Sequence, residues 1–317
     1  MQTLDFKNGD KMPALGLGTW KSKPGEVYTA VKEAIRLGYR HLDCAAVYAN
    51  EPEIGKALSE CFAEGLVTRE ELWITSKLWN DCHKSEHVRP ALQKTLADLQ
   101  LSYLDLYLVH WPIALKHGVS FPQSPSDLLS LDEVPIAETW QQMEAAADDG
   151  LCRHIGVSNF SVAKLQALLA SARIKPEVDQ VELHPYLQQP GLARFCADNG
   201  IFVTAYSPLG SMDRPDVLKT DGEPILLEDA TIRGIAERSG ISAAQALLRW
   251  SVQSGFSVIP KSVNPGRMKE NLAAAELSLS DDDMAAIGAM DRHRRYLSGE
   301  FWAVPESPYT VAGIWDE

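Results

Sequence analysis

Apolar positions along the chain alternate between two textures. Short, nearly continuous aliphatic runs are separated by longer stretches whose apolar residues recur at three- and four-residue spacing, the period of one helix face. In residues 27–37, for example, Val27, Ala30, Val31, Ala34 and Ile35 share a face, and the short run 41–43 follows. The same pattern predicts helices over 50–62, 88–99, 137–147, 164–172, 192–198, 243–252 and 268–275. Strands are expected at 72–77, 104–110, 154–158, 178–183, 201–206 and 257–260. Thr68 with Glu71, Ser242 with Gln245 and Ser280 with Asp283 resemble capping boxes at helix starts. Strands that are apolar throughout argue for a parallel sheet covered on both faces. Counting the run 15–17, eight strand–helix units are found, which suits a closed (β/α)8 TIM barrel, and no composition shift divides residues 1–317 into two domains.

Three segments lie outside the repeat: 113–135, 207–227 and an aromatic tail, 292–317. The first two follow strands, which places them on the face where barrel enzymes build their active sites. The tail holds Tyr296, Phe301, Trp302, Tyr309 and Trp315, too many large rings for a freely solvated end.

Composition narrows the class. An apolar content of 45% over 317 residues excludes a disordered chain. With 43 acidic and 30 basic residues the net charge is −13, which argues against nucleic-acid or anionic-membrane partners. Five cysteines without a C-x-x-C pair, a polar start and no apolar run of membrane-spanning length predict a soluble, cytosolic protein with reduced thiols. Three tempting motifs fail. Gly16-Leu-Gly18 has Lys21 where a dinucleotide fingerprint needs its third glycine, and no helix opens there. Gly156-Val-Ser158-Asn-Phe160 lacks the second glycine of a nucleophile elbow. His83-Lys-Ser-Glu86-His87 matches H-x-x-E-H, but Pro90 sets the helix start near Glu86 and leaves His83 in the preceding loop, so no metal site is expected.

Polar residues at strand ends are the better lead. Asp43 ends the second strand with Tyr48 five positions on, Lys77 ends the third, and His110 ends the fourth. A cationic Lys77 beside Tyr48, held by Asp43, would lower the phenol's pKa; Tyr48 could then protonate a carbonyl oxygen while His110 supplies a second hydrogen bond.

These residues lie within Gly38-Tyr-Arg-His-Leu-Asp43-Cys-Ala-Ala-Val-Tyr48 and Leu104-Asp-Leu-Tyr-Leu-Val-His110-Trp-Pro112, and two further motifs stand at Gly156 to Phe160 and at Ile259-Pro-Lys-Ser262-Val-Asn-Pro-Gly-Arg267-Met-Lys-Glu270-Asn271. In order and content the chain resembles the aldo-keto reductase superfamily, most closely its aldose and aldehyde reductase branch. The resemblance implies a barrel that binds NADPH in extended form and reduces aldehydes or ketones by hydride transfer from nicotinamide C4, as a monomer. It implies a catalytic set of Asp43, Tyr48, Lys77 and His110. Ser158, Asn159 and Gln180 would meet the carboxamide, and Tyr206 would stack on the nicotinamide. Ser207, Leu209 and Ser211 would border the pyrophosphate, with Thr19 and Trp20 beside the cofactor and Lys21 and Asp213 closing a belt over it. Lys261, Ser262 and Arg267 would hold the 2′-phosphate, and Glu270 and Asn271 the adenine. Lys, Ser and Arg around a helix start suit a phosphate on chemical grounds also. The substrate would face Trp20, Tyr48, Trp79, His110, Trp111, Phe121 and Trp302, although Trp302 could equally staple the tail to the barrel. Two alternatives stand beside this reading: a dedicated sugar or sugar-phosphate reductase, with Arg292, Arg294 and Arg295 facing the phosphate, and a cofactor-sensing regulator with little turnover.

Overall fold

The computed structural model describes residues 2–317. Two short strands, β1 (Thr3–Asp5) and β2 (Lys11–Pro13), pair as an antiparallel hairpin. The repeat then begins: β3 (Leu17–Gly18), α1 (Glu26–Leu37), β4 (His41–Asp43), α2 (Glu51–Ala63), β5 (Trp73–Leu78), α3 (Ser85–Leu99) and β6 (Leu104–Val109). The loop after β6 contains a small hairpin, β7 (Ala114–Leu115) with β8 (Leu128–Leu129). There follow α4 (Ile136–Asp148), β9 (Cys152–Ser158), α5 (Val162–Ser171), β10 (Val178–Glu182), α6 (Pro190–Asn199) and β11 (Phe202–Tyr206). The last turns of the chain are α7 (Ala230–Ser239), α8 (Ala243–Gln253), β12 (Ser257–Val258), α9 (Pro265–Ala273), α10 (Asp281–Gly288) and α11 (Val311–Trp315).

Eight strands form one parallel sheet in the order β12-β11-β10-β9-β6-β5-β4-β3. Parallel bridges from Leu15 to Val258 and from Gly18 to Lys261 join its two edges, so the sheet closes into a (β/α)8 barrel. The glycines of the failed fingerprint serve this seam. A Cβ on Gly18 would stand 2.7 Å from the Ile259 carbonyl oxygen, and one on Gly16 would stand 2.7 Å from the His41 ring. Close backbone approach explains both residues.

The expected elements are present with ends shifted by a few residues, and several features differ. The hairpin β1–β2 and the tail helix α11 are too short to leave a periodic signal, and α7 is not among the expected helices although Ile232, Ile235 and Ala236 stand at helical spacing. The Thr68–Glu71 capping box is real but caps only the single 3-10 turn Arg69–Glu71. Ser242 and Gln245 form a full box at the start of α8, whereas at α10 the Ser280 hydroxyl accepts the Asp283 amide and donates to the Asp283 carboxylate at 2.7 Å. Helix α3 starts at Ser85, so Pro90 lies in its second turn rather than its first.

Packing divides into three regions. The main core lies between strands and helices and includes the α1 stripe of Val27, Val31, Ala34 and Ile35. A plug of Leu4, Phe6, Met12, Trp73, Leu106, Leu108 and Val178 fills the barrel's lower end beneath the hairpin. A third cluster, with Trp79, Trp111, Trp302, Tyr309 and Trp315, fastens the tail to the loop after β6. Polar bonds complete this docking. Tyr309 Oη donates to the Leu129 carbonyl at 2.6 Å, and the buried Glu182 carboxylate accepts the Tyr296 and Leu297 amides at 2.6 and 2.8 Å. All five cysteines are unpaired thiols, and among the described residues no helix is long and apolar enough to cross a membrane.

Candidate active site

Parallel register brings the strand ends to one face. Asp43 closes β4, Lys77 lies one residue before the end of β5, and His110 follows β6, its amide bonded to the Leu78 carbonyl at 3.1 Å. Tyr48 ends the 3-10 turn Ala46–Tyr48 that leaves β4. The four come together. Lys77 Nζ, wholly buried, donates to Asp43 Oδ1 at 2.5 Å and to the Cys44 carbonyl at 2.8 Å, and lies 5.2 Å from the centre of the Tyr48 ring. The Tyr48 and His110 rings meet edge to face with centroids 5.9 Å apart.

The electrostatics correct one expectation. The Lys77 charge does not bring the Tyr48 phenol below its ordinary value. The phenol is held well above its usual value, first by burial and next by the Asp43 charge. A phenol so held keeps its proton across neutral pH and is available as a proton donor. His110 is pushed well below the usual imidazole value by burial, then by the Lys77 charge, so it stays neutral. Its Nδ1 is enclosed without a protein partner.

A cavity of about 1010 Å³ runs from this set to the start of α9. Thr19, Trp20, Lys21, Asp43, Tyr48, Trp79, His110, Trp111 and Phe121 line it, as do Ser158, Asn159, Gln180, Tyr206, Ser207, Leu209, Ser211 and Asp213. Lys261, Ser262, Arg267, Glu270 and Asn271 line its far end. Lys77 and Trp302 do not.

Several of these groups already bond to one another. Asn159, at a φ of 64°, accepts from Tyr206 Oη at 2.7 Å and donates to the His110 carbonyl at 2.9 Å. Ser158 Oγ donates to the Gln180 carbonyl at 2.6 Å, and Gln180 Nε2 donates to Asp43 Oδ2 at 2.7 Å. Thr19 spends its hydroxyl on the Asp43 carbonyl at 2.8 Å. The network orients the strand ends before any ligand arrives.

Lys21 and Asp213 span the cleft. Their ion pair measures 2.7 Å, Lys21 Nζ also reaches Ser211 Oγ at 3.1 Å, and Lys261 stands 3.7 Å from the same aspartate. At the far end, Asn264 caps α9 by accepting the Arg267 amide at 3.0 Å, and Ser262 Oγ accepts the Asn264 amide at 3.2 Å. Lys261 is half-buried and Arg267 exposed, so both side chains are free to turn toward an anion.

Trp302 requires correction. It is fully buried, packed against Trp79 at 5.7 Å, Trp111 at 5.8 Å and Phe121 at 6.0 Å between ring centres, and it lies behind the pocket wall. Leu297 and Phe301 of the tail line the cavity instead. Val47, Met212 and Leu218 also line it and were not anticipated; an apolar side chain in a loop leaves no periodic signal that separates pocket wall from packing. None of the three tail arginines lines the cavity. Arg292 pairs with Asp229 at 3.4 Å, Arg294 with Glu223 at 3.3 Å and Arg295 with Glu317 at 3.1 Å.

Known proteins place this site in context. Residues 14–292 match the model of the aldo/keto reductase family. The chain is 56% identical over 317 residues to an aldo/keto reductase of Synechocystis sp., covering 100% of this chain and 97% of that protein. It is 49% identical over 291 residues to the human aldo-keto reductase family 1 member A1, covering 91% of this chain and 89% of the relative. The structure of an aldose reductase from Schistosoma japonicum superposes with a TM-score of 0.87 at 40% identity, over 98% of this chain and 99% of that one. A barrel with Asp43, Tyr48, Lys77 and His110 gathered at its strand ends, and a family match over most of its length, make this chain a member of the aldo/keto reductase family.

Proposed function

We propose that the protein reduces aldehydes and ketones to alcohols with NADPH, acting in the cytoplasm as a monomer whose residues 1–317 form one barrel domain. The observation that carries this reading is the continuous cavity with Tyr48 and His110 at one end and Lys261 and Arg267 at the other. Two cations and a serine beside a capped helix start fit a phosphate ester, which favours NADPH over NADH. The half-buried Tyr206 ring, held by Asn159, is a platform for a flat ring system between those ends. NADPH, when bound, supplies the hydride.

The chain's own residues do the rest. Neutral His110 and the Tyr48 hydroxyl polarise the carbonyl oxygen, and Tyr48 gives up its proton as negative charge develops there. Lys77 holds Asp43 and, with its charge 5.2 Å from the phenol ring, steadies the phenolate left behind. Trp20, Trp79, Trp111, Phe121 and Phe301 supply an apolar wall that excludes water from the reacting carbon. The tail arginines are ion-paired and outside the cavity lining, which weighs against the sugar-phosphate alternative.

The test is NADPH oxidation against aldehydes, ketones, aldoses and aldose phosphates, with NADH in parallel. A Tyr48→Phe variant is expected to bind NADPH normally and to lose at least about a hundredfold in kcat, as removal of a general acid does. Undiminished reduction by this variant sinks the assignment of Tyr48. Tight NADPH binding by the unaltered protein with no carbonyl reduced sinks the reductase and favours a cofactor sensor.

A further inference from the structure

Beside the substrate end of the cavity, the turn after β5 and the loop after β6 meet in a cluster that the proposed reaction does not use. Asp81 and Cys82 belong to the 3-10 turn Asn80–Cys82, and His117 follows β7. One donor atom from each lies within 4.8 Å of the other two. Cys82 Sγ is 3.9 Å from His117 Nδ1, Asp81 Oδ2 is 3.7 Å from that nitrogen, and the thiol donates to Asp81 Oδ1 at 3.3 Å. His87, in the first turn of α3, stacks on His117 with ring centres 3.8 Å apart and planes 11° from parallel. The backbone holds this arrangement: Asp81 Oδ2 accepts the Gly118 amide at 3.0 Å, and Cys82 N bonds the Trp79 carbonyl at 3.0 Å.

The H-x-x-E-H run is not this site. His83 is buried before the helix, its carbonyl accepting Thr139 Oγ1 at 2.7 Å. The donors come from two loops that only the barrel brings together. A thiol, an imidazole and a carboxylate converging on one point match the borderline-soft, tetrahedral preference of Zn²⁺. Zinc bonds of about 2.0–2.3 Å set tetrahedral donor separations of roughly 3.3–3.7 Å, so the side chains need to close by only about 1 Å. Binding would displace the thiol proton to solvent, replace the Cys82–Asp81 hydrogen bond with two bonds to the cation, and break the 3.2 Å contact of His117 Nδ1 with the Asp81 carbonyl, the imidazole proton moving to Nε2.

We propose that Asp81, Cys82 and His117 bind one Zn²⁺ ion, water completing its tetrahedron, that clasps the loop carrying Phe121 to the turn carrying Trp79. These segments are already tied by Trp79 Nε1 donating to the Ser120 carbonyl at 2.9 Å and by the Gly118 amide on Asp81, and Phe121 packs edge-on against Trp79 at 5.4 Å. The ion adds a metal bond at His117, three residues before Ser120, and so reaches the pocket wall without touching the reacting groups.

The full-length protein, stripped with chelator, is titrated with Zn²⁺ by calorimetry and with Co²⁺ by absorption. One equivalent of each is expected, Co²⁺ giving a near-ultraviolet thiolate-to-metal band. Cys82→Ser should abolish that band and weaken Zn²⁺ by more than about tenfold, the loss that even an outer partner of a metal ligand can cause. His117→Ala should weaken Zn²⁺ similarly, and because His117 is exposed this variant does not threaten folding. A missing thiolate band in the unaltered protein, or Zn²⁺ affinity unchanged in both variants, overturns the site and leaves binding by surface histidines only. Amide exchange over residues 115–121 should slow with Zn²⁺; unchanged exchange overturns the clasp.

Discussion

Gln180 and Asp43, 137 positions apart, share a buried hydrogen bond of 2.7 Å from the Gln180 side-chain amide to Asp43 Oδ2. Lys77 holds the other carboxylate oxygen at 2.5 Å, so Asp43 is gripped on both sides. The resemblance assigned Gln180 to the nicotinamide carboxamide; the structure gives it a second task, that of fixing the carboxylate that fixes Lys77. Gln180→Met is expected to leave a buried carboxylate oxygen without its donor and to destabilise the cofactor-free protein by about 1–3 kcal/mol. Denaturant unfolding of the cofactor-free protein measures it, and an unchanged midpoint contradicts the role.

Lys261 and Arg267 offer the cavity's far end its positive charge. A charge-assisted hydrogen bond contributes about 1.5–3 kcal/mol, so Lys261→Ala or Arg267→Ala should each weaken NADPH roughly tenfold to a hundredfold. NADH, which lacks the 2′-phosphate, should bind both variants as it binds the unaltered protein. Equal losses for the two cofactors would move the phosphate elsewhere.

Trp302 and Phe301 are neighbours in sequence with opposite surroundings. Trp302 is enclosed by four aromatic rings, and Phe301 lines the cavity. Trp302→Ala is expected to cost about 3–5 kcal/mol of stability through the cavity it leaves. Phe301→Ala should cost much less and should change KM for bulky aldehydes more than for small ones. Paired thermal melts and substrate series distinguish the two.

Glu51, at the start of α2, is buried beneath the sheet with Ser76 and Thr95 hydroxyls donating at 2.5 and 3.1 Å. Burial, only partly offset by those bonds, pushes its carboxyl up to about 7. The folded state therefore holds this proton more tightly than the unfolded chain does. Stability from this group falls as pH rises from the ordinary carboxylate value of 4.5 toward 7 and is level above that. Glu51→Gln removes the charge at nearly constant shape and should raise stability at pH 8 by up to about 3 kcal/mol, with little effect at pH 4. Melting curves of the two proteins at both pH values are the check.

Much of the molecule was legible because its signals are local or periodic. The α1 stripe, the continuous β6 run and the Ser242 box each report on a few adjacent residues, and each became the element expected. Catalytic types at successive strand ends were readable for a related reason: once strands are parallel and closed, their ends must share a face. Side-chain direction in the tail was not readable. Neither Trp302 nor Phe301 lies in a long periodic element, so only packing against Trp79 and Trp111 decided which ring went inward.

What the sequence determined by itself, then, is the run of helices and strands, the barrel they build and the set of groups at its mouth, since these follow from burial periodicity and chain order. Tertiary structure alone decided how the charges settle and which loops meet. Lys77 turns its ammonium to Asp43 and Cys44, and burial holds the Tyr48 phenol high. Cys82 and His117, 35 positions apart, come within 3.9 Å because β5 and β6 are neighbours whose loops leave the barrel on the same side. Burial and separation set both outcomes, and neither quantity exists until the chain has folded.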